Sequence, residues 1–413
     1  MNKVKPYQIS KHSIWEAWKC VKSNAGAAGI DRESLADFEL NLSGNLYKIW
    51  NRMSSGSYFP PAVLGVPIPK KQGGTRTLGV PTVSDRVAQT VVKLKIEPQL
   101  EKVFLDDSYG YRPGRSAHDA ISITRKRCWR YDWVLEFDIK GLFDNLPWGL
   151  ILKAVRHHVK CKWSLLYIER WLKASLKFND GTLRHRTKGV PQGGCISPIL
   201  SNLFMHYCFD FWMEQKFPTL KWCRYADDGL IHCHSRRQAE YVKRALSTRL
   251  NECGLELHPE KTKVVYCRDS KRSGEADNYQ FDFLGYTFKS RPARSKKDGN
   301  FQNFSPGVSD SAQRSMRRVI KYSWRLEKKI HISLADIAAQ VNPVIRGWMN
   351  YYCKFNSWSM FSVCNYINMR IRKWAKKKYK NLRGKETRAC NWLKRVCQNN
   401  RKLFAHWQVI PVY

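Results

Sequence analysis

Acidic side chains are scarce in this sequence: 34 Asp and Glu stand against 73 Lys and Arg, a formal charge of +39 over 413 residues. So large an excess of one sign implies a polyanionic partner, and a phosphodiester backbone is the obvious candidate. Long apolar runs are missing too. No stretch of eighteen apolar residues occurs, which argues against a membrane-spanning helix, and the opening MNKVKPYQISKHSIWEAWKC has no apolar signal core. None of the 13 cysteines is paired as C-x-x-C, and the 11 histidines do not follow them at finger spacing. A structural zinc site is thereby disfavoured, and scattered thiols suit a reducing cytoplasm. His232, Cys233 and His234 resemble a ligand cluster, but strand alternation sends the middle one to the opposite face. What is plentiful is core-forming material, 43% hydrophobic residues with 16 tryptophans, enough for two to four domains.

Residues 1–50 read as helical, with Ile14, Trp15, Trp18 and Val21 on one apolar face before the Gly-rich break NAGAAGID. Val63–Thr82 reads as a hairpin around Gly-Gly, and Lys177–Gly194 as a second one with Asn-Asp-Gly at its bend. Ser84 is the expected N-cap of a helix reaching Phe104. SPILSNLFMHYCFDFWMEQKF reads as one long helix, and LKWCRYADDGLIHCHS as a third hairpin. The polar, Pro/Gly/Lys-rich Ser290–Gly307 reads as a linker, and nearly everything after it as helix. From Lys289 onward there are 28 Lys and Arg but five Asp and Glu, so over half the excess charge lies in under a third of the chain. That segment is the expected grip on a polyanion.

The few acids are informatively placed. Asp227 and Asp228 sit side by side at a hairpin tip, where like charges are costly unless a cation lies between them. A hard divalent ion fits, and Mg²⁺ is typically held by one or two carboxylates with substrate phosphates. A third acid is expected from a neighbouring strand. In WVLEFDIK, Trp133, Leu135, Phe137 and Ile139 alternate with Val134, Glu136, Asp138 and Lys140, so Asp138 is presented opposite a core face. Two metal ions about 3.5–4 Å apart on such ligands suit nucleotidyl transfer. No Ser, Cys or His nucleophile motif competes.

YADD, with EFDIKGLFDN upstream and GVPQGGCISPILSNLF between them, resembles the reverse transcriptases of bacterial group II introns, the intron-encoded maturases. The likeness is an ordered series from Ala25 to Trp374 that includes AGAAGID, VPIPKKQGGTRTLGVPT, DSYGYRPGRSAHDAI, LELHPEKTKVV, FDFLGYTF and NPVIRGWMNYY. It implies an α+β right-hand polymerase: fingers and an antiparallel palm sheet, then an α-helical thumb, also called domain X. The corresponding divisions are 1–83 (N-terminal extension and fingers), 84–290 (fingers and palm core), 291–306 (linker), 307–380 (thumb) and 381–413 (short basic tail, a candidate DNA-binding segment).

Residue by residue, the resemblance makes Asp138, Asp227 and Asp228 the catalytic ligands of two Mg²⁺ ions, with Mn²⁺ as substitute and the Ile139 backbone as a further candidate ligand. It puts Lys70, Arg76, Phe143, Gln192 and Lys261 around the incoming dNTP, Phe143 as the gate against a ribose 2′-hydroxyl. It assigns Tyr225, Arg112, Arg115, Leu284 and Gly285 to template and primer. Thumb cations Arg314, Arg317, Arg318, Lys328, Lys373, Lys376, Lys377 and Lys378 would hold RNA or heteroduplex backbone, with Trp324, Trp348, Tyr351, Tyr352 and Trp374 as thumb core. The implied partners are intron RNA, an RNA template, a DNA primer or target and dNTPs, in the bacterial cytoplasm at the nucleoid. A homodimer is left open. Two features depart from the pattern: Arg32 follows the Asp of AGID, where relatives often carry Gly, and the expected chain is of the type lacking an H-N-H endonuclease. A maturase that only binds RNA, or a reverse transcriptase recruited to defence or repair, are the alternative readings; the three intact carboxylates argue against the first.

Overall fold

Both periodicities of the sequence are realised as elements in the computed structural model, which describes residues 5–69, 74–295 and 299–410. They divide into two units. One comprises the described residues up to Ala120 with Leu135–Lys263; the other comprises Ile121–Val134 with the described residues from Val264 onward.

In the first unit, the helix Lys11–Asn24 is capped by Ser10, whose side chain accepts from the Ser13 N–H. It buries Ile14, Ala17, Trp18 and Val21, and Trp18 stacks on Phe38 at 5.0 Å. Trp15, expected on this face, is 42% exposed, because one helical step rotates it about 100° away from Ile14. Strand β1 (Val63–Pro69) pairs antiparallel with β2 (Thr75–Val80), setting Ile68 opposite Arg76. The helix Val83–Leu100 follows. Its cap is Thr82 rather than Ser84: the Thr82 hydroxyl accepts from the Asp85 N–H at 3.1 Å, which places Ser84 inside the first turn.

Next comes β3 (Trp133–Asp138), whose Leu135 and Phe137 are buried while Glu136 and Asp138 stay partly open. The second expected hairpin is β4 (Leu176–Phe178) with β5 (Leu183–Arg184), and it joins the first in one sheet of order β2-β1-β4-β5, where β1 and β4 run parallel. The third is β6 (Lys221–Tyr225) with β7 (Asp228–Cys233), and β7 lies between β6 and β3. Gly229 is required there, since a Cβ would stand 2.1 Å from the Phe137 ring.

The expected single helix after Gly194 is broken into α-helical Ser197–Met205, a π-helical turn His206–Asp210 and α-helical Phe211–Lys216. The wider turn carries Asp210, which is fully buried and ion-paired to an equally buried Arg224 on β6. Both guanidinium edges are used: Nε and one terminal nitrogen reach the two Asp210 oxygens at 2.7 and 2.6 Å. The remaining donors reach Asn202 Oδ1, the Ala226 carbonyl and Ser108 Oγ at 3.2, 3.2 and 2.9 Å.

After its earlier passage through Ile121–Val134, the chain returns to the second unit within β8 (Lys263–Tyr266). There β9 (Gln280–Phe283), β10 (Tyr286–Ser295) and β11 (Gly299–Val308) form a meander of order β11-β10-β9. The described residues of the expected linker 291–306 are therefore sheet. Its prolines misled composition: Pro292 lies beyond the reach of β9 and Pro306 is on an edge strand, places where a missing N–H costs little. Beyond it, the helices Asp310–Arg318, Leu334–Asn356, Phe361–Lys378 and Glu386–Asn399 enclose one apolar core. Trp324 and Trp348 stack within it at 5.6 Å, and Trp374 is fully buried. Tyr352 packs at its edge. The expected tail also belongs to it, since Leu393, Phe404, Trp407 and Ile410 are buried in the same cluster. Basic surface residues hid this apolar minority.

Removing one member of a buried ion pair strands the other's charge. Asp210→Asn is expected to cost about 3–5 kcal/mol in urea-induced unfolding, and wild-type stability would show that the pair does not hold β6. His406, fully buried, donates from Nε2 to Asn368 Oδ1 at 2.8 Å, and burial pushes it down from 6.5 to about 3. Between those values the unfolded chain binds a proton that the folded chain refuses, so stability is complete above about pH 6.5 and declines as pH falls toward 3. The melting temperature should therefore fall less between pH 7 and pH 5 in His406→Phe than in the wild type; parallel declines would remove His406 from the acid response.

Candidate active site

The β6–β7 hairpin turns through Ala226 and Asp227, with Tyr225 opposite Asp228. Ala226 takes a left-handed conformation, φ 58°, which its small side chain and the Arg224 guanidinium bonded to its carbonyl sustain. The loop 107–112 clasps this tip. Arg224 donates its backbone N–H to Asp107 and accepts from Tyr109, both at 2.9 Å, and Gly110 comes so close that a Cβ would meet Ala226 N at 2.6 Å. On the other side Ile139 N–H donates to the Asp227 carbonyl at 3.3 Å, while His258 N–H donates to the Asp138 carbonyl at 2.8 Å. Asp138, at the end of β3, is thereby brought beside Asp227 and Asp228. These are the three acids the sequence singled out, from two strands and a turn.

Their electrostatics are those of a strained cluster. Burial, and then the charge of Asp138, raises Asp227 above the ordinary carboxylate range. Asp228 is pushed up to about 7 by burial, by the charges of Asp227 and Asp138, and by hydrogen bonding with Asp138 that favours its protonated form. Lys261 opposes this, donating to Asp138 Oδ2 at 2.8 Å with its side chain 40% exposed. Burial lowers the Lys261 ammonium, but the bond to Asp138 and the charges of all three acids outweigh that and leave it raised. Among the described residues no three His, Cys, Asp or Glu side chains are already arranged as a metal-binding cluster. The donor chemistry nevertheless fits a hard divalent cation: anionic oxygens crowded out of water, with a lysine supplying positive charge to one of them.

Around the acids lies a mixed rim. Burial raises the Tyr111 phenol first, then the charges of Asp227 and Tyr225, with Arg76 pulling the other way, so this exposed tyrosine stands among them. Tyr111 meets Phe143 edge-on at 6.4 Å. Gln192 Nε2 donates to Asp144 Oδ2 at 3.0 Å, and its carbonyl accepts from Gly79 N–H at 2.7 Å, tying the PQGG loop to β2. Lys70 lies outside the described residues.

Several expected contacts are placed differently. Arg112 is buried and spent inside its own loop, on Glu101 Oε2 at 2.9 Å and the carbonyls of Leu105 and Ser108 at 2.6 and 2.9 Å, so it braces the loop and cannot reach a phosphate. Arg115 pairs with Asp106 at 2.5 Å and remains partly open. Leu284 and Gly285, in the second unit, form the β9–β10 turn at φ 51° and 80°, with Tyr351 Oη donating to the Leu284 carbonyl at 2.8 Å. Of the thumb cations, Arg314, Arg318, Lys328, Lys373 and Lys377 are exposed. Arg317 bonds Ser362 Oγ at 2.7 Å, Lys376 pairs with Glu386, and Lys378 caps the Ile332 carbonyl at 2.5 Å. Arg224, Asp210 and Tyr111 were missed. An arginine inside the apolar WCRYA strand was a readable signal, because such a residue has to be paired; its partner's position was not.

Comparison with known proteins identifies two family matches in the chain. The family model described as reverse transcriptase (RNA-dependent DNA polymerase) matches residues 68–288, and the group II intron, maturase-specific domain matches residues 313–392. Protein YkfC of Escherichia coli is 29% identical over 66% of this chain and 78% of its own length. The group II intron-encoded protein LtrA of Lactococcus lactis is 25% identical over 86% of this chain and 72% of its own. A solved telomerase from Candida albicans aligns with a TM-score of 0.48 at 14% identity, covering 90% of this chain and 67% of that one. With its acidic hairpin inside a match spanning more than half of its length, the chain belongs to the reverse transcriptase family, here continued by a group II intron maturase domain.

Proposed function

We propose that Asp138, Asp227 and Asp228 hold two Mg²⁺ ions, with Mn²⁺ as substitute, for copying an intron or template RNA into DNA. The observation that carries this is the convergence of three carboxylates beside a hairpin pinned by a buried arginine. In the reaction a primer 3′-hydroxyl forms a bond to the α-phosphorus of a dNTP while the bond to pyrophosphate breaks. The bound ions would lower the charge on the attacking and leaving oxygens.

The protein's own groups do the positioning. Lys261 steadies Asp138, and Arg76, opposite Ile68 on the β1–β2 hairpin, would meet the triphosphate, the role also assigned to Lys70. Phe143, braced by Tyr111, stands as the wall against a 2′-hydroxyl, and Gln192 with its loop shapes the nucleotide pocket. Tyr225, opposite Asp228 at the end of the hairpin, would meet the primer terminus. Thumb cations hold RNA or heteroduplex, and the same chain assists splicing and mobility of its intron. Thirteen free thiols suit action in the reducing cytoplasm, on nucleoid DNA.

Asp227→Asn should reduce primer extension on an RNA template by about a thousandfold or more, with RNA binding and splicing assistance kept; full extension would overturn the metal assignment. Phe143→Ala should raise ribonucleotide incorporation relative to deoxyribonucleotide, read on the same primer; an unchanged sugar preference rejects the gate.

A further inference from the structure

A gate against a 2′-hydroxyl works while its ring keeps one position, and the backbone of Phe143 does not secure that. The residue lies on the single turn Leu142–Asn145, which opens on Gly141 at φ 60° with no side-chain cap. Its carbonyl accepts from Val190 N–H at 2.7 Å, so the main chain is tied to the PQGG loop. Its side chain is half-buried. An aromatic side chain has several staggered wells, and a partly open one exchanges among them quickly. The ring needs a neighbour to hold it.

Tyr111 meets that ring at 6.4 Å and 83°, the favoured edge-on geometry of an aromatic pair. It is 55% exposed, so it fills no core. It nevertheless takes a left-handed conformation, φ 57°, which is costly for a bulky side chain and persists where the surroundings impose it. Both neighbours in the chain impose it. Gly110 lies against Ala226, and its carbonyl accepts from Asn202 Nδ2 at 2.7 Å. The other end of that amide, Asn202 Oδ1, accepts from Arg224 at 3.2 Å. On the far side Arg112 is buried on the carbonyls of Leu105 and Ser108. The loop is thus fixed to the Arg224 network before and after Tyr111, and the tyrosine stands out from it, with Asp227, Tyr225 and Arg76 nearby.

We propose that Tyr111 determines how strictly this polymerase discriminates against ribonucleotides, as a positioning residue whose ring holds Phe143 in the rotamer that opposes a 2′-hydroxyl. This role rests on the reading of Phe143 as the gate. The phenol oxygen has no part in it, so phenylalanine should serve as well. An edge-on aromatic contact shifts the population of a held rotamer by about two- to tenfold.

The test uses the full chain with Mg²⁺ on one primer annealed to an RNA template. The readout is kcat/KM for a deoxyribonucleotide divided by kcat/KM for the matching ribonucleotide. Tyr111→Ala should lower this ratio about threefold or more. Tyr111→Gly should lower it equally while relaxing the left-handed backbone, so that lost folding is not the cause. Tyr111→Phe should keep it within about 1.5-fold. Phe143→Ala should lower it further, and adding Tyr111→Ala to Phe143→Ala should change nothing more, because the tyrosine acts through the phenylalanine. A ratio unchanged in Tyr111→Ala and Tyr111→Gly, while Phe143→Ala is permissive, overturns the proposal alone. So do equal losses for both sugars, or a loss in Tyr111→Phe as large as in Tyr111→Ala. A further fall in the double variant overturns the positioning role, since Tyr111 would then act on the sugar itself. A ratio unchanged in Phe143→Ala removes the gate reading and this role with it.

Discussion

One buried ion pair carries the geometry on which the acidic site depends. Arg224 lies two residues before the hairpin tip, and its five donors are distributed over Asp210, Asn202, Ser108 and the Ala226 carbonyl. A buried guanidinium of this kind tolerates no alternative, since every donor must find an acceptor. It therefore locks three segments together: the π-helical turn bearing Asp210, the loop bearing Ser108, and the strand β6 that leads into the two aspartates. The π turn has a reason in this. An uninterrupted α-helix through 206–210 would carry Asp210 round to another direction.

With the tip immobilised, the carboxylates cannot relax apart. Asp228 rises to about 7 because burial and two neighbouring charges work against it together, and Lys261 compensates Asp138 by a direct bond. The site is thus preorganised for positive charge, inside a protein whose net charge is +39. The two facts are complementary. The surface excess draws polyanions toward the protein over many residues, whereas the small acidic centre acts through a few fixed contacts. Local placement, rather than net charge, decides where chemistry occurs.

The second unit applies the same principle with the sign reversed. Its cations divide by what they touch: Arg317, Lys376 and Lys378 are committed to Ser362, Glu386 and the Ile332 carbonyl, while others converge on one cavity. Beneath them the aromatics seen in the sequence, among them Trp324, Trp348 and Trp374, form core. A segment rich in Lys and Arg can hide such a core, because its surface residues outnumber the apolar ones that decide its fold.

By itself, the sequence determined the three hairpins, the acidic tip and the family pattern. Hairpin turns, strand alternation and the YADD tip are local signals, expressed within a few residues. Tertiary structure decided the rest. It made Arg112 a brace, because its acceptors lie in a loop whose closure no spacing reveals. It gave Arg224 a partner fourteen residues away through a π turn, joined two hairpins through the β1–β4 pairing, and turned a proline-bearing linker into β10 and β11. Each of these depends on burial and on which polar groups meet there. Those quantities exist once distant segments have packed, and periodicity along the chain does not encode them.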